Sequence, residues 1–124
     1  MAGRDFGGKM SISGSTGYRF SPRGTVNTQP AHSSNEAITN TDGRVDRVMT
    51  PMAPTAEVNF ADDGVDYDTL LNADRHNITI VEEKTGVTHL FTQAFWTGRP
   101  SSNRINGEVT QLGIVAESYQ RIGG

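Results

Sequence analysis

The clearest pattern in the chain is a strict alternation. Ala56, Val58 and Phe60 fall on one side of an extended run; Thr55, Glu57 and Asn59 fall on the other. That is the period of a half-buried strand with one wet face. Upstream, Glu36–Asn40 and Arg44–Thr50 flank Thr41-Asp42-Gly43. Asp-Gly between two extended runs predicts a hairpin, because Gly supplies the positive φ of the turn. Both arms are unusually polar for a core hairpin. Pro51 and Pro54 remove ladder donors and predict a kink before the alternating strand.

Other segments read more weakly. Met10–Ser13 predicts a short strand, Gly14–Gly17 a turn, and Tyr18–Phe20 a second extended piece that ends at Pro22-Arg23-Gly24. Residues 25–34 have little periodicity and predict a long loop or a loosely held strand. Tyr67–Ala73 is the one convincing helix, with Asp63 or Asp66 as its cap and Leu70 and Leu71 as its packing residues. Asn77–Glu83 and Val87–Thr97 predict a second hairpin across Lys84-Thr85-Gly86. A loop over 98–103 and a last long strand over 105–119 follow, with Gly107 and Gly113 as bends. Phe95 and Trp96 are adjacent and must point to opposite faces. One fills the core and the other needs cover, so Trp96 is open between the core and a subunit contact. The sum is about six to eight strands and one short helix, a mainly β fold of the small sandwich or barrel-like kind. Residues 1–8 read as a flexible arm, 9–120 as one domain and 121–124 as a tail.

Composition narrows the function. Only 34% of the 124 residues are hydrophobic and 14 are Gly, a profile of a chain that covers part of its surface with copies of itself. With no cysteine there is no disulfide, thiolate nucleophile or Cys-bound zinc. The first residues lack the apolar run of a signal peptide, and no stretch is long and apolar enough for a membrane helix. The net charge of -3 is concentrated in an acidic middle, residues 51–98. That argues against a protein that grips phosphates.

Catalytic and metal chemistry is hard to assemble. Gly3–Lys9 nearly spells a phosphate-binding loop, but Met10 stands where a magnesium-binding hydroxyl belongs and no strand precedes Gly3. Asp62, Asp63, Asp66 and Asp68 suggest calcium, yet in EF-hand register Tyr67 takes the glycine position and Ala73 that of the bidentate Glu. His32, His76 and His89 have no metal spacing, and Gly14–Gly17 is not a nucleophile elbow. No catalytic, cofactor or metal residues are expected.

The order of elements is recognisable. The chain resembles the tail tube proteins of contractile-tailed (myovirus) bacteriophages, especially the short type of Mu-like phages, over residues 9–118. The carriers are the hairpin at Thr41-Asp42-Gly43, the kinked Met49–Pro54, and the acidic turn and helix Val65–Leu71. Asn77–Ile80, Ala94–Gly98 and Asn106–Val109 complete the set. The resemblance implies a non-enzymatic virion protein, assembled in the host cytoplasm, whose hexameric rings join their inner strands into one β-barrel and stack into a tube. Its implied partners are copies of itself, the contractile sheath, a tape-measure protein, the baseplate hub and the tail terminator. DNA passes only in transit during ejection, bound weakly and without specificity.

On that reading Thr39, Asp46, Thr55, Glu57 and Asn59 are expected to face the lumen, with a solvent-exposed outer sheet as the alternative. Phe6, Met49, Met52, Trp96 and Tyr119 are expected between subunits. The 25–34 stretch and the 35–50 hairpin are expected to link subunits or rings. Rival readings are the tube of a tailocin or secretion-type injection machine, a monomeric β-sandwich binding module, and a small hydrolase.

Overall fold

The computed structural model describes residues 8–62, 64 and 66–123, with backbone alone for 24 and 25. Phe6, most of the predicted arm and Asp63 lie outside the described residues.

Ten strands and one helix are formed among them. In chain order they are β1 (Met10–Gly14), β2 (Arg19–Phe20), β3 (Pro22–Gln29), β4 (Ser33–Thr39), β5 (Val45–Pro51) and β6 (Thr55–Ala61). Then come α1 (Tyr67–Asn72), β7 (His76–Glu82), β8 (Val87–Asn103), β9 (Glu108–Val115) and β10 (Ser118–Ile122). The expected mainly β, sandwich-like fold with one short helix is what forms. Asp66 is the cap: its carboxylate accepts from the Asp68 and Thr69 amides and from the Thr69 hydroxyl. The helix is too short to stand alone and is held by buried Leu70.

One sheet runs β2-β1-β7-β8-β9-β6-β3, with β10 also paired to β8. It divides into two layers because β8 serves both. Residues 87–94 pair with β7, and 88–92 with β10 on the other side; residues 95–103 pair with β9. At the changeover Gln93 takes φ 53, a left-handed conformation that turns the strand. The sheet does not close on itself.

The core lies between the layers. Ile12, Ile78, Ile80 and Phe91 from one meet Val58, Phe60, Val109, Leu112 and Ile114 from the other. Phe20 and Phe60 stack across it, 4.3 Å between centroids, and Trp96 meets both rings edge-on. Trp96 is therefore a core residue, 3% exposed, and is not available as a subunit contact. Its indole N–H donates to the Tyr18 hydroxyl at 2.8 Å. That hydroxyl donates to His76 Nε2 at 2.8 Å, and His76 Nδ1 donates to the Asp74 carbonyl at 2.8 Å. The relay satisfies each buried polar atom in turn.

Several sequence expectations change. Over 25–34, where a long loop or a loosely held strand was expected, residues up to Gln29 belong to β3 and those from Ser33 to β4, with 30–32 between them. The expected loop at 98–103 is strand, because β9 supplies its ladder. The single long strand over 105–119 is two. β9 turns back at Ala116, whose amide donates to the Pro54 carbonyl, and β10 runs through the expected tail to Ile122 along β8. The bend in β9 falls at Gln111 (φ 68), not at Gly113. Ladder register breaks there against both β6 and β8.

Candidate functional site

Three surfaces are built by this architecture. The first is the outer face of the layer β3-β6-β9-β8. β6 alternates without exception: Ala56, Val58 and Phe60 are buried, and Thr55, Glu57 and Asn59 point away from the core. Register extends that face sideways. Glu57 lies opposite Asn27 and Gly113, Thr55 opposite Gln29 and Val115, and Thr97 opposite Gly113. Thr55 donates to Gln29 Oε1 at 3.1 Å. Of Asn27, Gln29, Thr55, Glu57, Asn59 and Thr97 only Glu57 ionises, and Glu108, opposite Ala61 and Asn103, shares the face at its far end. Phe95 is the outward partner of Trp96 and is covered by the Arg75 guanidinium, 4.9 Å above its ring. Arg75 is held there by Glu117 at 3.0 Å.

The second surface is the pair of edges of this layer. Among the described residues, β3 pairs only with β6, and β8 beyond Ala94 pairs only with β9. All three ladders are antiparallel, so the two free edges run in opposite directions. Unpaired edges are templates for another strand.

The third surface is the β4–β5 hairpin. Every residue of both strands is exposed. Its tip is closed by Asn40 and Gly43 (φ 87), and Asn40 Nδ2 donates to Asp46 at 2.9 Å. Its neck is closed by the Met52 amide on the His32 carbonyl at 2.9 Å. His32 Nε2 accepts from the Tyr119 amide of β10 at 3.4 Å. Ile38, Val45, Val48, Met49 and Met52 are between 41% and 64% exposed. An isolated two-stranded ribbon is marginal in water, and one with this apolar surface is shaped for a partner.

The expected lumen residues separate. Thr55, Glu57 and Asn59 share one face of the body, whereas Thr39 and Asp46 ride on the hairpin. There Thr39 pairs with Val45 and Asp46 with Ile38, at successive positions, so they occupy opposite faces of the ribbon. Among the expected subunit contacts, Met49 and Met52 are exposed and Trp96 is not. Tyr119 is drawn inward: its ring packs on Phe91, its hydroxyl meets His89 Nδ1 at 2.6 Å, and burial raises its pKa. His89 Nε2 donates in turn to Glu82 at 2.5 Å. Sequence reasoning missed this Glu82–His89–Tyr119 chain. Its one legible signal was a histidine on a strand shared with Phe91.

No reactive constellation accompanies these surfaces among the described residues, and no group of three His, Asp or Glu side chains converges on a metal position. A hollow beside Tyr18 and Leu70 has Asp66 as its one carboxylate among the described residues, and that group is occupied in capping α1.

Comparison with known proteins agrees with this architecture. The family model for the phage tail tube protein matches residues 4–120. The curated proteins yield no match. Among solved structures, the chain resembles a chain in the structure of the PVC extracellular contractile injection system's sheath/tube terminator, TM-score 0.62 at 11% identity, covering 93% of this chain and 94% of that one. It resembles a chain of the sheath-tube complex of the same system, TM-score 0.61 at 12% identity, covering 94% and 89%. It also resembles Hcp1 from Flavobacterium johnsoniae, TM-score 0.59 at 13% identity, covering 94% and 96%. At these identities the likeness speaks to the fold.

Proposed function

This chain belongs to the phage tail tube protein family, and on that premise we propose that its copies form hexameric rings whose β3-β6-β9-β8 layers join edge to edge into one β-barrel. The observation that carries this reading is the pair of free, oppositely directed edges flanking a polar face. The outer half of β8 in one copy meets β3 of the next as an antiparallel pair, and ring closure leaves no exposed edge. The polar face then lines the bore, with Glu57 as its recurrent charge. A duplex slides along such a wall because Glu57 repels phosphates and the Arg75 guanidinium over Phe95 is already paired with Glu117.

The outward layer meets the sheath, and the ends of the stack meet the terminator and baseplate hub. The tape-measure protein occupies the bore before DNA does. The protein is assembled in the host cytoplasm and works in the virion tail as a conduit without catalytic activity. Phe6 and the arm around it contact a neighbouring copy.

Electron microscopy of the purified protein tests the reading. Rings or tubes with an open centre support it; a monomer at high concentration, with sheath or initiator proteins present, overturns it. A second test addresses the wall. Tubes carrying Glu57→Lys retain DNA at low salt and release it as salt rises, while wild-type tubes do not retain it. The solved relatives from injection systems favour one further reading, a tube in a phage-derived injection machine. Capsid, portal and terminase genes beside this one decide for the phage.

A further inference from the structure

We propose that Asn106-Gly107, in the β8–β9 turn, is a self-modification site. The Asn106 carboxamide is converted through a cyclic imide to aspartate and isoaspartate, and Arg23 activates the attacking nitrogen. The chemistry is independent of how copies assemble.

The first observation is the pair itself. Asn106-Gly107 is the one Asn-Gly in the sequence; every other asparagine is followed by a residue with a side chain. The backbone nitrogen after an asparagine can attack the side-chain carbonyl carbon, and the following Cβ is what hinders it. Glycine has none. Gly107 takes φ +68, and a Cβ built there meets Arg23 Nη1 at 3.8 Å and nothing nearer. Asn106 is exposed and Ile105 beside it is 98% exposed, so water and hydroxide reach the turn.

The second observation is how the reacting groups are held. The Glu108 amide donates to Asn106 Oδ1 at 3.1 Å. That bond folds the carboxamide forward over the Gly107 peptide. It also places a donor on the oxygen that becomes negative when nitrogen adds to Cγ. Arg23 Nη1 donates to the Asn106 carbonyl oxygen. This oxygen is conjugated with the Gly107 nitrogen. When the nitrogen loses its proton, negative charge spreads onto the atom that the guanidinium holds, and a charge-assisted hydrogen bond favours that form.

The remaining charges about the turn are accounted for. Arg104 is committed to Asp62 at 2.8 Å. Glu108 Oε2 lies 3.5 Å from Asn106 Nδ2, where a carboxylate passes a proton to the departing nitrogen. Against the reaction stands the Gly107 N–H, which donates to the Asn103 carbonyl at 2.8 Å and must be freed first. Local opening of an exposed turn costs little.

The atoms balance without an oxidant or reductant. A bond forms between the Gly107 nitrogen and Cγ. Nδ2 leaves as ammonia with the proton that the Gly107 nitrogen gave up. Water then opens the imide. Breaking the Cγ–N bond leaves aspartate in the chain; breaking the bond from the Asn106 carbonyl carbon to nitrogen routes the chain through Cγ as isoaspartate. Either product sets a new carboxylate beside Glu108, and isoaspartate also lengthens the turn and takes the carbonyl from Arg23.

The test holds the purified full chain in mildly alkaline buffer and cleaves it at Arg104 and Arg121. In mass spectrometry peptide 105–121 gains the difference between a carboxyl and a carboxamide. It separates into two products of equal mass, one of them labelled by an isoaspartate carboxyl methyltransferase, while peptides bearing Asn35 and Asn40 stay unchanged. Arg23→Gln slows conversion about tenfold, and Arg23→Lys, which keeps a cationic donor, recovers most of the rate. In urea the variants and the wild type react alike, and all more slowly than the folded wild type. Conversion at Asn106 no faster than at the other asparagines overturns the site. Equal rates for folded wild type and Arg23→Gln overturn the activation. A faster reaction in urea than in the folded chain overturns both, since the turn then shields the pair.

Discussion

Replacing Tyr18 by Phe removes one oxygen and breaks two hydrogen bonds. Trp96 Nε1 and His76 Nε2 each have that oxygen as partner at 2.8 Å. Trp96 is 3% exposed and His76 7%, so solvent reaches neither nitrogen freely. Leaving a buried polar atom unsatisfied costs about 1–3 kcal/mol. Two such atoms beside a half-buried ring cost about 2–4 kcal/mol, a large share of the roughly 5–15 kcal/mol of a typical domain. The ring itself is kept, so its stacking on Phe20 is unchanged.

Two measurements separate this from a general packing defect. In denaturant titrations the midpoint falls with no change in slope. In the Tyr18→Phe background, a further Trp96→Phe costs about 1 kcal/mol less than it does in wild type, because the indole donor is already orphaned. The pH dependence has a defined sign. Burial raises the Tyr18 phenol from near 10 to about 12. The unfolded chain therefore loses this proton first, and wild-type stability falls as pH climbs from 10 toward 12. That loss is worth about 1–2 kcal/mol after discounting for partial exposure. The variant lacks it, so the gap between the two proteins narrows over that window. A Tyr18→Phe protein within about 0.5 kcal/mol of wild type, with an unchanged alkaline limb, refutes the relay.

Asp62 gives the opposite pH signature. The Ser102 hydroxyl, then the Gly64 amide, hold its carboxyl down at about 2. Its contribution is present above pH 4 and disappears as pH falls through 2, so Asp62→Asn lowers the melting temperature at pH 7 and has no effect near pH 2. Gly98 sits at φ +93 with the Gln111 carbonyl 2.3 Å from where a Cβ would stand. Gly98→Ala therefore destabilises by about 2 kcal/mol or more in thermal melts. Gln111→Gly relieves a left-handed non-glycine residue and raises stability by about 0.5–1 kcal/mol. Deleting residues 1–8 leaves the melting curve of the fold in place and weakens tube assembly, read by sedimentation.

The sequence made local periodicity legible. Thr55–Phe60 declared both its faces and Asp42-Gly43 its turn, while the cap stayed open between Asp63 and Asp66 until the structure placed the Asp66 carboxylate on the helix amides. What stayed hidden depends on distant partners. Residues 98–103 carry no alternation of their own and become strand because β9 lies beside them. Ser118–Ile122 reads as a tail until β8 pairs with it. Neighbour identity could not decide which of Phe95 and Trp96 faces inward; Tyr18, fixed by a tight turn far upstream, supplies the acceptor that the indole needs. The candidate site divides the same way. Met49 and Met52 were visible as apolar residues in polar surroundings. Thr39 and Asp46 were placed with Glu57 because polarity alone does not distinguish a free ribbon from a sheet face.

The even number of strands in the inner layer has a consequence for the width of the bore. Because each copy begins on one strand direction and ends on the opposite one, any number of copies closes with a satisfied seam. Hydrogen-bond polarity is thus indifferent to ring size. The choice passes to the curvature of each segment, and curvature is concentrated where Gln111 and Gly98 break the ladders on both sides of β9. In the proposed ring the gauge of the channel would follow from those two backbone kinks rather than from the residues that touch its contents.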